Sequence, residues 1–354
     1  MLTKEALDRS RTLVNDLFDD ADRRRAARRA LRQAAGLGVG TVHELGGPHL
    51  GPLADLVRVR DVGAELGMGV VTYWGELASQ AAIDRARAAG AAGLAGDLCV
   101  DGSIGSRTAS LRSPYADAAT LGARYLDEDQ IAEHVTTCTR VGLQAGFHCI
   151  GDDAVAAAIA GLRRAAERVG ADRIRAARHR LEHLEMVSAD DIAVLARLGV
   201  VASVQPAFDA LWGRAGELYE TRLGSVRSQT MNPMATLRRA GVPMAFGSDA
   251  PVTPLAGWAT VLAAVDHSRP SERLRAVDAL AAATSGGHWA GGTDRAGTLE
   301  CGALASFAVW DVQPAPTPAV PDLPSLKSGA AAPECVLTVA GGRIVYRSDG
   351  EVVG

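Results

Sequence analysis

Residues 126–148 read LDEDQIAEHVTTCTRVGLQAGFH, one complete step from helix to strand. Residues 126–141 are predicted helical, with Asp127 and Gln130 in capping-box spacing. Residues 143–148 (LQAGFH) form a short, largely apolar strand that ends in His148. The same alternation repeats on both sides. Further candidate strands are 39–44 (VGTVHE), 69–74 (GVVTYW), 97–101 (DLCVD), 179–183 (HRLEH), 200–205 (VVASVQ) and 242–249 (VPMAFGSD). Helices are expected over 79–89, over 188–198, where Ser188 and Asp191 repeat the capping spacing, and over 232–240. In the last of these Pro233 suits the first helical position and Gly241 the stop.

Alternating strands and helices imply α/β architecture, with a parallel sheet covered by helices. Seven such strands in one run exceed half of a doubly wound sheet and approach the eight of a closed (β/α)8 TIM-type barrel. Past about residue 295 the pattern changes. Residues 297–312 and 336–346 look like β-hairpin material, joined by a Pro-rich connector over 313–333 that reads as a surface loop. The expected organisation is a barrel over 1–295 and a small β module over 296–354.

Composition narrows the function. A net charge of -4 and a pI near 6.1 give no general attraction to nucleic acid or anionic membranes. The run Arg23, Arg24, Arg25, Arg28, Arg29 and Arg32, beside Asp19, Asp20 and Asp22, reads as a solvated helix face. Cys99, Cys138, Cys149, Cys301 and Cys335 show no CxxC spacing, which suits reduced thiols in a cytoplasmic protein. No apolar stretch reaches membrane-spanning length, and residues 1–30 are too charged for a signal peptide. Aromatics are scarce, so the core must rely on small and branched aliphatic side chains with close helix–strand approach.

The chemistry gathers at strand ends. His148, His183 and Asp249 each close a candidate strand, and strand C-termini converge on one rim of such a barrel. Two imidazoles and a carboxylate suit Zn²⁺ or a similar divalent ion. Strand alternation puts His179, Leu181 and His183 on one face, with His183 nearer the rim and His179 structural. It also puts Gly247 and Asp249 on one face, and Gly146 with His148.

These stretches resemble the amidohydrolase superfamily, and within it the amidohydrolase 3, or YtcJ-like, group of metal-dependent hydrolases. The matching segments are 101–109 (DGSIGSRTA), 146–155 (GFHCIGDDAV), 178–185 (RHRLEHLE), 198–206 (LGVVASVQP), 241–254 (GVPMAFGSDAPVTP) and 297–312. The resemblance runs from about residue 36 to the end. It implies that His148 and His183 are the strand-five and strand-six metal ligands, and that Asp249 is the strand-eight aspartate, both metal ligand and general base. Ser103 and Arg107 lie in the loop after strand four; they contact substrate or order the loop. Many relatives carry a lysine on strand four, and its position here is taken by Asp97, with Asp101 nearer the rim as a competitor for the metal or the substrate. An aspartate is short, so Asp97 lies too deep to reach a shared ion if its backbone is that of the lysine. The resemblance thus implies one ion rather than two.

The sequence also departs from the group at its start. The group has a His-x-His pair on strand one, and no such pair occurs here. The first histidine, His43, falls in what reads as strand two. The C-terminal β module would then be the remnant of the group's β-sandwich. A late start, a strand supplied from elsewhere and a degraded relative all account for this. A barrel without one strand exposes two edges, an aggregation hazard that favours a late start. Two functions follow: a hydrolase acting on a non-peptide carbon–nitrogen bond of a small molecule, or a non-catalytic relative serving as a binding or structural module. An aldolase-like Schiff base is disfavoured, because the two lysines, Lys4 and Lys327, close no strand. Residues 103–125 and 207–230, with Trp212 and Tyr219, are the expected pocket loops. A small-molecule partner is expected, and a homo-oligomer is compatible with the sequence.

Overall fold

The computed structural model describes residues 13–15, 17–312 and 332–348. Among these residues seven parallel strands form one curled sheet in chain order. They are β1 (Thr41–Gly46), β2 (Gly69–Trp74), β3 (Gly93–Leu94), β4 (Gln144–Cys149), β5 (Arg180–His183), β6 (Val201–Val204) and β7 (Met244–Phe246). The alternating pattern predicts a TIM-type barrel one strand short, and the seven parallel strands curl in that way. β1 and β7 are the sheet's two edges.

Residues 97–101, read above as a strand, are not one. The third strand is the two-residue β3, and 97–101 touches the sheet only at an isolated bridge between Cys99 and His148. Gly93 explains the offset. A Cβ there would lie 2.1 Å from the Gln144 carbonyl oxygen, so only glycine lets β3 and β4 close up. Residues 207–230 also differ from the expected loop: they are largely the helices Pro206–Trp212 and Leu218–Ser228, and Tyr219 is fully buried. Pro233 is the cap of the helix Met234–Arg239 rather than its first residue.

Each helix start uses a local device. Asp127 caps Glu128–Val141 and Gln130 returns the bond, and Ser188 caps Ala189–Leu198. The Arg-rich helix Asp20–Gly36 is capped by Asp19. Its arginines pair with Asp55 and Glu65 on the helix Leu53–Leu66, as a solvated face should. The main core lies between sheet and helices and is made of Ala, Val, Ile and Leu with Phe147 and Trp74. The helix Ser285–Ala290 closes the N-terminal end of the strands. The Ala290 carbonyl accepts from Tyr73 Oη–H and from Gln144 Nε2–H, and Arg178 lies 4.5 Å over the Trp289 ring.

A three-stranded antiparallel sheet follows, in the order β10 (Arg343–Arg347), β9 (Glu334–Ala340), β8 (Phe307–Asp311). It packs on the Asp20–Gly36 helix through Ala340 and Val345 and through the Thr338 hydroxyl, which donates to the Ala35 carbonyl at 2.7 Å. Most of the Pro-rich connector, 313–331, lies outside the described residues, as do Lys4 and Lys327. No described helix is long and apolar enough to cross a membrane.

Candidate active site

The C-terminal ends of the strands bring His148, His183, Asp97 and Asp249 to one rim. His148 and His183 lie ring to ring, with centroids 4.4 Å apart. His148 points inward because β4 alternates: Ala145, Phe147 and Cys149 enter the helix-facing core, and Gly146 and His148 face the other way. Gly146 is needed beneath it, since a Cβ there would meet Arg180 Cγ at 2.6 Å and Ala95 Cβ at 2.8 Å.

β5 does not follow the alternation expected for it. Arg180 and Glu182 fill the barrel interior, and Leu181 enters the core against the helices. His183 reaches the rim because its backbone turns, with φ 75° there and 50° at Leu184. Left-handed backbone at a non-glycine residue is unfavourable, so the site is built against local preference. Asp249 is placed in the same way, with φ 54° in the tight turn after β7.

Hydrogen bonds fix the tautomers. His183 Nδ1–H donates to Gln205 Oε1 at 2.8 Å, and Gln205 Nε2–H donates to the Ser203 carbonyl, which orients the amide. The lone pair of His183 is therefore on Nε2. His148 Nε2–H donates to the Gly102 carbonyl at 3.2 Å, which leaves the lone pair on Nδ1, 3.9 Å from Asp97 Oδ1. Burial holds both imidazoles below their ordinary pKa, and the mutual repulsion of the rings adds to this at His148. Both are neutral at pH 7, the form that ligates metal.

Asp97 is not too deep. It stands beside His148 because the 97–101 segment runs along the end of β4. Burial alone would raise its pKa, but the hydrogen bond from His49 (Nε2 to Oδ2, 2.9 Å) and the rings of His148, His49 and His183 outweigh that and hold the carboxyl well below the usual range. Asp249 behaves in the opposite way. Although it is exposed, the surrounding rim withdraws enough water to raise its pKa to about 6; His148 opposes the rise, and Asp97 and Glu182 add to it.

The loop residues serve another purpose. Asp101 is fully buried, and its carboxylate accepts backbone N–H bonds from Ser110, Ile150 and Gly151 at 2.8–3.0 Å. These bonds tie the loop to the start of the following helix. Arg107 forms a two-pronged bond with Asp117, at 3.0 and 2.7 Å, and Arg222 also binds Asp117, so Arg107 pins the loop. The hydroxyl of Ser103 bonds Ser106 Oγ at 2.8 Å within the same loop. His179 is fully buried behind the sheet, with Nδ1 accepting from Ala145 N–H and Nε2 on Thr139 Oγ1.

Sequence reasoning missed two contributors. Gln205 lies in the 198–206 segment, but nothing there gave it a role. His49 sits in a Gly/Pro loop at the end of β1, and a histidine in a rim loop was the available signal.

A barrel whose paired histidines and carboxylates face one another at the strand ends defines a class, and the comparisons give its name. The amidohydrolase family model matches residues 1–346, and the chain belongs to that family. Among curated proteins it is 31% identical over 228 residues to Protein LONG AFTER FAR-RED 3 of Arabidopsis thaliana, covering 60% of this chain and 38% of the relative. It is 29% identical over 163 residues to the putative amidohydrolase YtcJ of Bacillus subtilis (strain 168), covering 45% of this chain and 28% of the relative. The matches thus span well under half of these relatives' length. Among solved structures it resembles an uncharacterized metal-dependent hydrolase from Pyrococcus furiosus, with 26% identity, a TM-score of 0.68, and 83% of this chain and 61% of that chain covered.

Proposed function

We propose that this chain carries the catalytic rim of a metal-dependent hydrolase that cleaves a non-peptide carbon–nitrogen bond of a small molecule. The observation that carries the reading is the donor set. Two neutral imidazoles each have one nitrogen tied up as a donor and the other presenting a lone pair, beside an ionised carboxylate. That set fits one divalent ion of the zinc type, held by His148 Nδ1, His183 Nε2 and Asp97, with Asp249 as a further ligand. When bound, such an ion supplies Lewis acidity and water activation at neutral pH. Asp249, raised toward neutrality, takes a proton from the attacking water and passes it to the leaving amine. Gln205 holds the His183 tautomer, and Asp101 and Arg107 keep the 101–117 loop in place; Ser103, exposed in that loop, is a candidate substrate contact.

Asp249→Asn is expected to lower kcat by about 10²–10⁴-fold, the usual weight of a general acid–base group, with an unchanged circular dichroism spectrum. A turnover within a few-fold of the parent would remove Asp249 from that role. The ion itself is tested by metal analysis of purified protein. Less than roughly a tenth of an equivalent of divalent metal after zinc loading would refute the hydrolase reading.

A second reading, a non-catalytic relative, is favoured by one contact. Asp97 already pairs with His49 at 2.9 Å, so its carboxylate is satisfied without an ion. Metal content that falls in His148→Ala/His183→Ala separates the two.

A further inference from the structure

The ring of His49 and the side chains of Asp97 and Cys99 bring a nitrogen, a carboxylate oxygen and a sulfur within 4.8 Å of one another. None of the three is exposed to the degree of a surface side chain, and none is sealed off. Asp97 is the hub: its Oδ2 meets His49 Nε2 at 2.9 Å and its Oδ1 meets Cys99 Sγ at 3.5 Å. Donors at about 2.0–2.3 Å from a tetrahedral zinc ion lie roughly 3.3–3.8 Å from each other. The two separations through Asp97, 2.9 and 3.5 Å, lie near or within that range, and the third is no more than 4.8 Å.

The backbone explains why these side chains meet. Asp97 and Cys99 are two residues apart on an extended stretch, and Cys99 is the residue that bridges to His148. Gly75 lets this stretch approach β2, since a Cβ there would lie 3.0 Å from Asp97 C and Leu98 N. His49 arrives on a tight turn whose Leu50 N–H donates to the Gly47 carbonyl at 2.9 Å. Gly47 gives the ring its space, since a Cβ at that position would stand 3.2 Å from His49 Cε1.

We propose that His49, Asp97 and Cys99 form a second, thiolate-containing site for a thiophilic divalent cation of the Zn²⁺ class, beside the His148–His183 pair and sharing the Asp97 carboxylate with it. The mixed donor set selects for zinc-like ions and against Mg²⁺ and Ca²⁺, which take oxygen ligands. Three protein ligands leave a fourth position open, as in zinc sites that also hold water. The inference goes beyond the hydrolase reading, which needs neither His49 nor Cys99.

Cobalt(II) titration of the metal-stripped protein is the test, read by absorbance rather than activity. A thiolate-to-cobalt charge-transfer band is expected in the parent chain. It should persist in the double variant His148→Ala/His183→Ala and vanish in Cys99→Ser. In His49→Asn the affinity should fall by about 100-fold or more, beyond the ~10–100-fold that loss of a merely supporting partner causes. Alkylation mapped by mass spectrometry gives a check in the unmutated chain: zinc, but not magnesium, should protect Cys99 at least as strongly, while the exposed Cys301 stays reactive. Cobalt bound without the band would overturn the thiolate site and leave the hydrolase reading standing. A Cys99-dependent band lost in the His148/His183 variant would make the cysteine a ligand of the rim ion and overturn the second site. A band that needs His49 and Cys99, with no further ion bound at His148 and His183, would uphold this site and count against the hydrolase reading.

Discussion

Glu182→Ala is expected to destabilise the protein by about 3–5 kcal/mol, the usual consequence of leaving a buried charge without its partner. Arg180 and Glu182 lie inside the half-barrel with side chains 2% and 5% exposed. The guanidinium donates through Nε to Glu182 Oε1 and through Nη2 to Glu182 Oε2 at 3.1 Å. Two further donors go to Ser203 Oγ and to His43 Nδ1, each at 3.0 Å, and its face lies 4.7 Å over the Tyr73 ring. His43 accepts because burial, reinforced by Arg180, depresses its pKa to about 3 and keeps it neutral. One arginine therefore ties β1, β2, β5 and β6 together. Glu182→Ala removes its counter-charge but not its desolvation. The double variant Arg180→Met/Glu182→Leu should recover most of the loss, because both charges then leave the interior. Denaturant unfolding followed by tryptophan fluorescence reads both. An alanine variant as stable as its parent would mean that water reaches Arg180.

The second large effect is acid sensitivity. His134 and His179 are buried and use both ring nitrogens in the neutral form. His134 Nδ1 accepts from Ala78 N–H and its Nε2–H donates to the Leu94 carbonyl, each at 2.9 Å. His179 Nδ1 accepts from Ala145 N–H, and its Nε2–H donates to Thr139 Oγ1, whose own proton goes to the Val135 carbonyl. A proton on either Nδ1 would face a donor. Burial accordingly lowers His134 from 6.5 to about 4 and His179 from 6.5 to about 3, the latter helped by repulsion from His134. The unfolded chain takes up these protons first as pH falls. Stability is therefore full above about pH 6.5 and is lost progressively between 6.5 and about 4 to 3. The loss is about 3 kcal/mol for His134 and about 5 kcal/mol for His179 at most. The two are not summed, because each ring's charge acts on the other. Melting temperatures between pH 7.5 and 4.5 should fall steeply, and His134→Gln should be less stable at pH 7.5 but less pH-dependent. A flat profile in the parent would show that these rings admit a proton without opening.

Much of this was legible in the sequence, for reasons that differ by element. β2 is a β-branched and aromatic run over 69–74 with turn signals on both sides, and it was read to the residue. β3 was not, because Gly93 and Leu94 carry no strand signal; their pairing depends on the fit of Gly93 against Gln144, a tertiary fact. The 97–101 stretch (DLCVD) has strand-like alternation without being a strand, and Asp97 and Cys99 do lie side by side there. His183 was singled out on strand alternation, but Arg180 and Glu182 hold the interior face and a left-handed turn delivers His183. A period of two cannot anticipate a backbone reversal. The role of Asp101 was hidden because its three partners are backbone N–H groups, which no side-chain pattern reveals.

The left-handed residues of the rim set stability against function. His183 and Asp249 occupy backbone that glycine or asparagine would adopt at lower cost, of order 1–3 kcal/mol at each position. Selection for stability alone would erase the exposed Asp249 side chain. Asp249→Gly should therefore divide the two demands, melting no lower than the parent while losing a group the rim exists to present; at His183 the lost bond to Gln205 offsets the backbone relief. A library of this chain screened only for thermal resistance would drift toward glycine at Asp249, and the activity lost with that drift would mark what the rim spends on function.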